Sequence, residues 1–155
     1  MKRRIIFFVG FPFLLLLFGA FQHRYGHKYV KQGIRGCVYL IKGNQMPGPR
    51  SIVQSPRGIS AAVYIFPLVN LSQAEQGKSA SFYKAIHARP VKVAEADSTG
   101  YFEASLDTGV YSVFIKVGEY YYSGGRDQFD NLSPVKVYSS GQTYVELFYK
   151  SGVTY

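Results

Sequence analysis

The clearest indication of the fold is the stretch PVKVAEADSTGYFEASLDTGVYSVFIKV, residues 90–117. It contains three runs in which apolar and polar residues alternate, separated by the turn sequences DSTG and DTG. Alternation with a period of two residues is typical of half-buried β-strands, and glycine permits the backbone geometry that a tight turn needs. The stretch therefore predicts three consecutive antiparallel strands. The middle strand would place these side chains on one face: Phe102, Ala104 and Leu106.

The same signal recurs on both sides of this stretch. Four further runs are bounded by Gly, Pro, Asn and Asp, and they lie at residues 36–42, 59–67, 134–138 and 143–150. Seven short strands with turn signals at their ends predict an all-β domain, either a sandwich or a small barrel. Because the alternation keeps returning, antiparallel strands are favoured over helices.

One long connection departs from this pattern. Residues 68–89 are rich in Ala, Gln, Glu and Lys, and connections of this length are rarely without structure in a compact domain. We expect a short helix against the edge of the sandwich, with Gly77 preventing a longer one.

The amino-terminal end reads as a targeting segment. Three basic residues precede residues 5–21, which carry no charge and would form a helix of about 26 Å at about 1.5 Å per residue. Residues 1–21 are thus a signal peptide or a membrane anchor, a hydrophobic helix in either case. Bulky Phe18 disfavours cleavage after Ala20, so both alternatives stay open. A basic tether follows at residues 22–32, and the globular domain occupies residues 33–155.

The net charge of +9 divides unequally along the chain. Residues 1–60 hold ten basic and no acidic residues, whereas residues 61–155 hold eight basic and nine acidic ones. The positive charge therefore flanks the apolar segment and leaves the body nearly neutral. This distribution points to a membrane, through residues 5–21 if they are uncleaved, and argues against nucleic-acid binding.

Two motifs carry a resemblance to a known family. One is the hairpin pair in which turn-Gly-Tyr-Phe is followed by Leu-x-x-Gly-x-Tyr-Ser-Val, and the other is GNQMPGP at residues 43–49. The residues of the first motif's second half are Leu106, Gly109, Tyr111, Ser112 and Val113. With these motifs, residues 33–155 resemble the carboxypeptidase regulatory-like proteins, small exported bacterial proteins with a transthyretin-like (prealbumin-like) domain.

The resemblance implies both a fold and a kind of role. The fold would be a seven-stranded antiparallel Greek-key β-sandwich of transthyretin-like type. The role would be that of a non-enzymatic accessory or interaction module of the cell envelope, in the periplasm or at the cell surface. Its partner would be an envelope protein or a glycan, and the resemblance leaves the oligomeric state open.

Catalytic groups give little support to the alternative, a small-substrate hydrolase on the same fold. The chain lacks the H-x-x-E pair of metallocarboxypeptidases and any P-loop or dinucleotide fingerprint. A hydrolase would need His87, Cys37 or the Asp127/Asp130 loop to meet in one pocket. The single cysteine excludes an internal disulfide and a cysteine-rich metal site. We therefore expect no enzymatic activity, no cofactor and no metal.

The candidate binding residues cluster between the last strands. Tyr120 and Tyr122 would face water beside flexible glycines while Tyr121 points inward, and exposed tyrosines recognise glycans and peptides well. Arg126, Asp127 and Asp130 follow in a polar loop and complete the candidate set. The competing interpretation is that a strand continues past Val117 and packs its aromatic residues on the sandwich edge.

Overall fold

The computed structural model describes residues 31–42 and 55–152. The predicted hydrophobic helix at residues 1–21, nearly all of the basic tether and the GNQMPGP segment lie outside the described residues. Within the described part of the chain, no helix combines the length and the apolar character required to cross a membrane.

The described chain is built from strands, and all seven predicted strands are present. The strands are β1 (Gln32–Lys42), β2 (Arg57–Gly58), β3 (Ala61–Pro67), β4 (Ala74–Gln76), β5 (Phe82–Ile86), β6 (Lys92–Ala96), β7 (Tyr101–Ser105), β8 (Gly109–Val117), β9 (Tyr120–Tyr122), β10 (Pro134–Val137) and β11 (Gly141–Ser151). Three short strands, β2, β4 and β5, lie outside the predicted set, and β9 corresponds to the competing interpretation of the tyrosine run.

Sheet A has β1 at its centre. Strand β11 pairs with one side of β1, and both β7 and β2 pair with the other side. The β1–β11 pair is parallel over eleven residue pairs, from Gln32 opposite Gly141 to Lys42 opposite Ser151. The other pairs in both sheets are antiparallel. The long chain between β1 and β11 permits this exception, because only a short hairpin turn forces neighbouring strands to run in opposite directions.

Sheet B is wider and is centred on β8. Its strand order is β4-β5-β9-β8-β3-β6, and β10 pairs with the first half of β8 while β9 pairs with the last part. The two sheets face each other across a core of aliphatic and aromatic side chains, so the predicted sandwich is confirmed. The largest fully buried members of this core are Ile34, Val38, Val63, Ile65, Phe102, Val113 and Val137.

The stretch at residues 90–117 forms strands β6, β7 and β8 as predicted. Phe102, Ala104 and Leu106 are all buried in the main core. In the DSTG turn, Asp97 Oδ1 accepts hydrogen bonds from the Thr99 amide at 2.8 Å and from the Tyr101 amide at 3.1 Å. Gly100 has φ +89°, and a Cβ there would collide with the Val38 carbonyl oxygen. Only glycine therefore fits this turn.

A second apolar cluster covers the outer face of sheet B. It comprises Phe66, Val69, Tyr83, Phe114 and Leu132. Since Phe114 lies on β8 between Val113 and Ile115 of the main core, β8 is buried on both faces. The Ser112 hydroxyl on the same outer face is also buried and accepts a hydrogen bond from the Val69 amide at 2.9 Å.

The short helix expected within residues 68–89 is a single 3-10 turn, Leu71–Gln73, and the remainder forms the β4–β5 hairpin. Asn70 caps the turn with two hydrogen bonds. Its Oδ1 accepts from the Ser72 backbone amide at 3.2 Å, and its backbone amide donates to Gln73 Oε1 at 2.9 Å. The prediction of helix over strand is wrong beyond this turn. Phe82 packs in the main core and Tyr83 in the second cluster, and burial on alternate sides requires a strand.

Candidate functional site

Asp127 organises the loop that was predicted to bind a ligand. Its Oδ1 accepts hydrogen bonds from the Phe129 amide at 2.8 Å and the Asn131 amide at 2.9 Å. Its Oδ2 accepts from Asn131 Nδ2 at 2.9 Å. The Asn131 side chain is the largest influence holding the pKa of Asp127 below its ordinary value, and the two backbone amides add to it against an opposing effect of burial. The Asp127 carboxylate thus stabilises the conformation of its own loop.

The same loop is fastened to the 3-10 turn. Leu71 donates its amide to the Asp130 carbonyl at 2.9 Å, and Asn70 Nδ2 donates to the Phe129 carbonyl at 2.8 Å. The Leu132 amide donates to the Val69 carbonyl at 2.9 Å, and the Leu132 side chain is fully buried in the second cluster. The loop therefore closes the second cluster from outside.

Arg126 and Asp130 form an ion pair at the surface of this loop. Arg126 Nη1 lies 3.3 Å from Asp130 Oδ1, and both side chains are more than half exposed. Arg126 also lines a cavity of about 230 Å³ beside Tyr83 and Ser123. Exposed ion pairs contribute little to stability.

The predicted orientation of the tyrosine run is wrong. Tyr122 is 5% exposed and packs edge-on against Phe82 and Tyr149, with ring centroids 5.1 Å apart in both pairs. Tyr120 is half-buried on the same side, with its ring centroid 6.1 Å from that of Phe82. The interpretation that the run packs as a strand is confirmed, because it forms β9.

Hairpin register explains the error. β8 and β9 are joined by a tight turn at Gly118, which has φ +58°, and Ile115 lies opposite Tyr122. Residues directly opposite in a sheet share a face, so Tyr122 follows Ile115 into the core. Tyr121 faces the other way, towards the second cluster, with the Lys116 ammonium 3.9 Å above its ring. The Gly118 turn was the signal that would have fixed this register.

The groups required by the hydrolase hypothesis lie on different elements. Cys37 is on β1 of sheet A and faces away from the core. His87 follows β5 of sheet B, where its amide donates to the Gln73 carbonyl at 2.8 Å. Asp127 lies in the loop that covers sheet B. The main core therefore separates Cys37 from the other two. Within residues 31–42 and 55–152, no three His, Cys, Asp or Glu side chains are grouped to hold a metal ion.

Comparison of the chain with protein-family models, with curated proteins and with solved structures finds no match in any of the three.

Sequence reasoning missed the outer face of sheet A. The parallel register places Arg35 opposite Tyr144, Cys37 opposite Glu146, and Tyr39 opposite Phe148. Their neighbours Ile34, Gly36 and Val38 are buried, so the six side chains point away from the core. The Tyr39 and Phe148 rings stack with centroids 5.5 Å apart and planes inclined by 24°. Tyr144 is 51% exposed beside them.

A thiol links the two tyrosines of this face. A hydrogen bond with Cys37 is the largest cause that raises the pKa of Tyr144 to about 12, and partial burial of the phenol adds to it. The same thiol is the main cause that raises the pKa of Tyr39, which also bonds with Tyr144. Both phenols therefore keep their protons at neutral pH.

Strand β7 extends the face on the other side of β1. Tyr101 lies opposite Cys37, and Glu103 lies opposite Arg35. The Tyr101 hydroxyl donates to Glu103 Oε2 at 3.1 Å, and burial is the main cause that raises the pKa of this phenol. We call the surface formed by Tyr39, Tyr101, Tyr144 and Phe148 the aromatic face. It offers ring surfaces and phenol hydroxyls beside one guanidinium, that of Arg35, and two carboxylates, those of Glu103 and Glu146.

Proposed function

We propose that this chain is a non-enzymatic interaction module of the cell envelope that binds a glycan through the aromatic face. The domain would be a transthyretin-like Greek-key sandwich of the carboxypeptidase regulatory-like type. The observation that carries the proposal is the stack of Tyr39 on Phe148, continued by exposed Tyr144, on a sheet face that no segment within residues 31–42 and 55–152 covers.

The chemistry of the face suits a sugar chain. Sugar rings present apolar C–H faces that pack on aromatic rings, and their hydroxyls need nearby donors and acceptors. The aromatic rings supply the apolar contact, and the phenol oxygens can accept hydrogen bonds from sugar hydroxyls. Arg35 adds a guanidinium donor, and Glu146, which is exposed, adds carboxylate oxygens. A protein partner is the competing occupant of the same surface.

The location follows from the amino-terminal segment. A basic start, an apolar run and a polar exit at Gln22 are the parts of an export segment. Amino-terminal sequencing of the mature protein distinguishes its two forms. A start at residue 21 or 22 means a secreted protein, whereas an intact Met1 means an anchored one.

Binding is tested by sedimenting the full chain, in detergent, together with insoluble envelope polysaccharide. We expect Tyr144→Ala to weaken binding about five- to tenfold, since one aromatic contact contributes about 1 kcal/mol. Tyr138→Ala is the matched control, because Tyr138 is similarly exposed outside the aromatic face. Equal binding by the two variants, or no polysaccharide binding by the unaltered chain, would overturn the proposal. Capture of an envelope protein through Tyr144 in place of polysaccharide would identify the competing occupant.

We do not propose the hydrolase alternative. Cys37 lies on β1 of sheet A, whereas His87 follows β5 of sheet B, and the Asp127 carboxylate is engaged by amides of its own loop. A hydrolytic role would require these groups to converge on one substrate.

A further inference from the structure

Four exposed apolar side chains lie together at one end of sheet B. They are Leu68, Val91, Val110 and Tyr138, and their exposed fractions range from 39% to 58%. Exposed apolar side chains that are scattered singly are ordinary on a protein surface, whereas a contiguous group marks a surface that contacts another molecule. We call these four residues the apolar stripe.

The register of β3 and β8 brings two members of the stripe side by side. Pro67 lies opposite Tyr111, so the next residue along the chain, Leu68, lies beside Val110. Val110 alternates along β8 with buried Ser112, which belongs to the outer face of sheet B. The stripe therefore occupies the part of the outer face next to the second cluster.

The flanking strands carry the other two members to the same end. On β10, Val137 lies opposite Gly109, the first residue of β8, and Tyr138 follows it. On the far side of β3, the Val91 amide donates to the Ile65 carbonyl at 2.7 Å, just before β6 begins. Four adjacent strands at about 4.8 Å spacing thus carry a stripe about 14 Å long.

β1 begins at this end of the sandwich as well. Gln32 Nε2 donates to the Leu106 carbonyl at 3.2 Å, and Leu106 lies in the turn between β7 and β8 that leads to Val110. Residues 22–31 separate Gln32 from the apolar segment at residues 5–21. A chain of that length spans at most about 36 Å even when fully extended. An anchored domain is therefore held near the bilayer by the end that carries the stripe.

Basic side chains surround the stripe. The exposed basic residues at this end are Lys31, Arg89, Lys92 and Lys136. Asp107, in the turn between β7 and β8, opposes them but leaves an excess of positive charge. The Lys136 ammonium lies 5.2 Å from the centroid of the Tyr138 ring. Tyrosine rings and the apolar stems of lysine suit the headgroup region of a membrane, and anionic headgroups attract the basic groups.

We infer that this end of the sandwich docks on the anionic surface of the membrane that holds the amino-terminal segment. The apolar stripe enters the headgroup region, and the basic side chains contact lipid phosphates. Tyr39 lies seven residues along β1 from Gln32, about 23 Å away, so docking leaves the stack of Tyr39 on Phe148 open. The inference rests on the membrane-anchored form of the proposed function and does not depend on glycan binding.

A single tryptophan reports docking cleanly, because the chain contains none of its own. The full chain with Tyr138→Trp is reconstituted into vesicles of phosphatidylcholine and phosphatidylglycerol, with or without bromine on acyl-chain carbons close to the headgroup. Bromine quenches a tryptophan that reaches this depth, so we expect strong quenching of the Tyr138→Trp variant. Glu119→Trp is the matched control, because Glu119 is exposed in the turn at the opposite end of β8, and its fluorescence should persist.

Charge supplies an independent test in the Tyr138→Trp chain. Arg89→Gln should lower the ratio of docked to undocked protein about fivefold in the anionic vesicles, which is the effect of one basic residue near such a surface. It should have little effect in vesicles of phosphatidylcholine alone. Lys84→Gln, which removes an exposed lysine from β5, is the control and should leave the ratio unchanged.

Each adverse outcome has a distinct meaning. Equal quenching at the two tryptophan positions, or quenching indifferent to Arg89→Gln, would overturn the inference while leaving the anchor in place. If the full chain failed to sediment with the vesicles, the membrane location and the inference would both be wrong. A concentration-dependent shift of Tyr138→Trp emission in detergent would place a second copy on the stripe and refute membrane docking. Polysaccharide binding through Tyr144 is measured separately from all of these.

Discussion

The outer faces of the two sheets differ although both are rich in aromatic residues. On sheet B, Tyr83 and Phe114 are buried under the 3-10 turn and the Asp127 loop. On sheet A, Tyr39, Tyr144 and Phe148 stand on strands that no described segment covers. Aromatic alternation alone therefore does not distinguish a buried core from an exposed face. What decides is whether another part of the chain returns to cover the face.

The largest expected effect is on the covered face. Leu132→Ala removes the fully buried side chain that the Asp127 loop inserts into the second cluster. We expect a loss of about 2–5 kcal/mol in the free energy of unfolding, from lost burial and the cavity that remains. Denaturant unfolding measures it, with exposed Val93→Ala as the control within about 0.5 kcal/mol. Similar losses in both variants would mean that the cluster is not a core.

A smaller, pH-dependent effect is expected at Asp127. Its pKa is lowered in the folded state, so its contribution is complete above the ordinary aspartate pKa, about 4, and is lost as pH falls through the lower folded value. Asp127→Asn should therefore be less stable than the unaltered chain at neutral pH, with the difference shrinking below pH about 4. A difference that persists unchanged in acid would contradict the role of the charged carboxylate.

On the aromatic face, the expected effect is a change in the ultraviolet titration of a tyrosine. Cys37→Ala removes the main cause of the raised Tyr144 pKa. That pKa should fall from about 12 towards the ordinary tyrosine value of about 10, as followed by phenolate absorbance. The Tyr144→Phe variant lacks this phenol and therefore identifies the part of the phenolate absorbance that belongs to Tyr144. Because the folded pKa is raised, the phenol's contribution to stability is complete below pH about 10 and is lost as pH rises through about 12. An unaltered titration in Cys37→Ala would disprove the thiol link.

The smallest effect is expected at the Arg126–Asp130 ion pair. Both side chains are largely exposed, and water screens their attraction. Arg126→Gln should change the free energy of unfolding by less than about 0.5 kcal/mol in denaturant titrations, irrespective of salt. A loss comparable to that of Leu132→Ala would place the ion pair among the forces that hold the second cluster closed.

Local sequence signals predict where the strands lie, but they do not predict which strands pair with each other. The DSTG turn and the burial of Phe102 follow from residues a few positions apart, and both predictions are confirmed. The aromatic face depends on β1 meeting β11, which lie about a hundred residues apart, and no local pattern encodes that pairing. Tyr122 was placed on the wrong face because its direction follows from its partner Ile115.

The pairing of β1 with β11 also has a mechanical consequence. Because the strands are parallel, the chain enters β1 at one end of the pair and leaves β11 at the opposite end. A pull applied across these two points runs along the strands and loads their hydrogen bonds together in shear, where a hairpin pulled at its open end would release them one by one. Extension of single molecules between residue 31 and residue 152 should therefore show one high-force rupture. A domain that is held at its amino-terminal end and pulled at its carboxyl-terminal end would resist unfolding more strongly with this parallel pairing than with a hairpin.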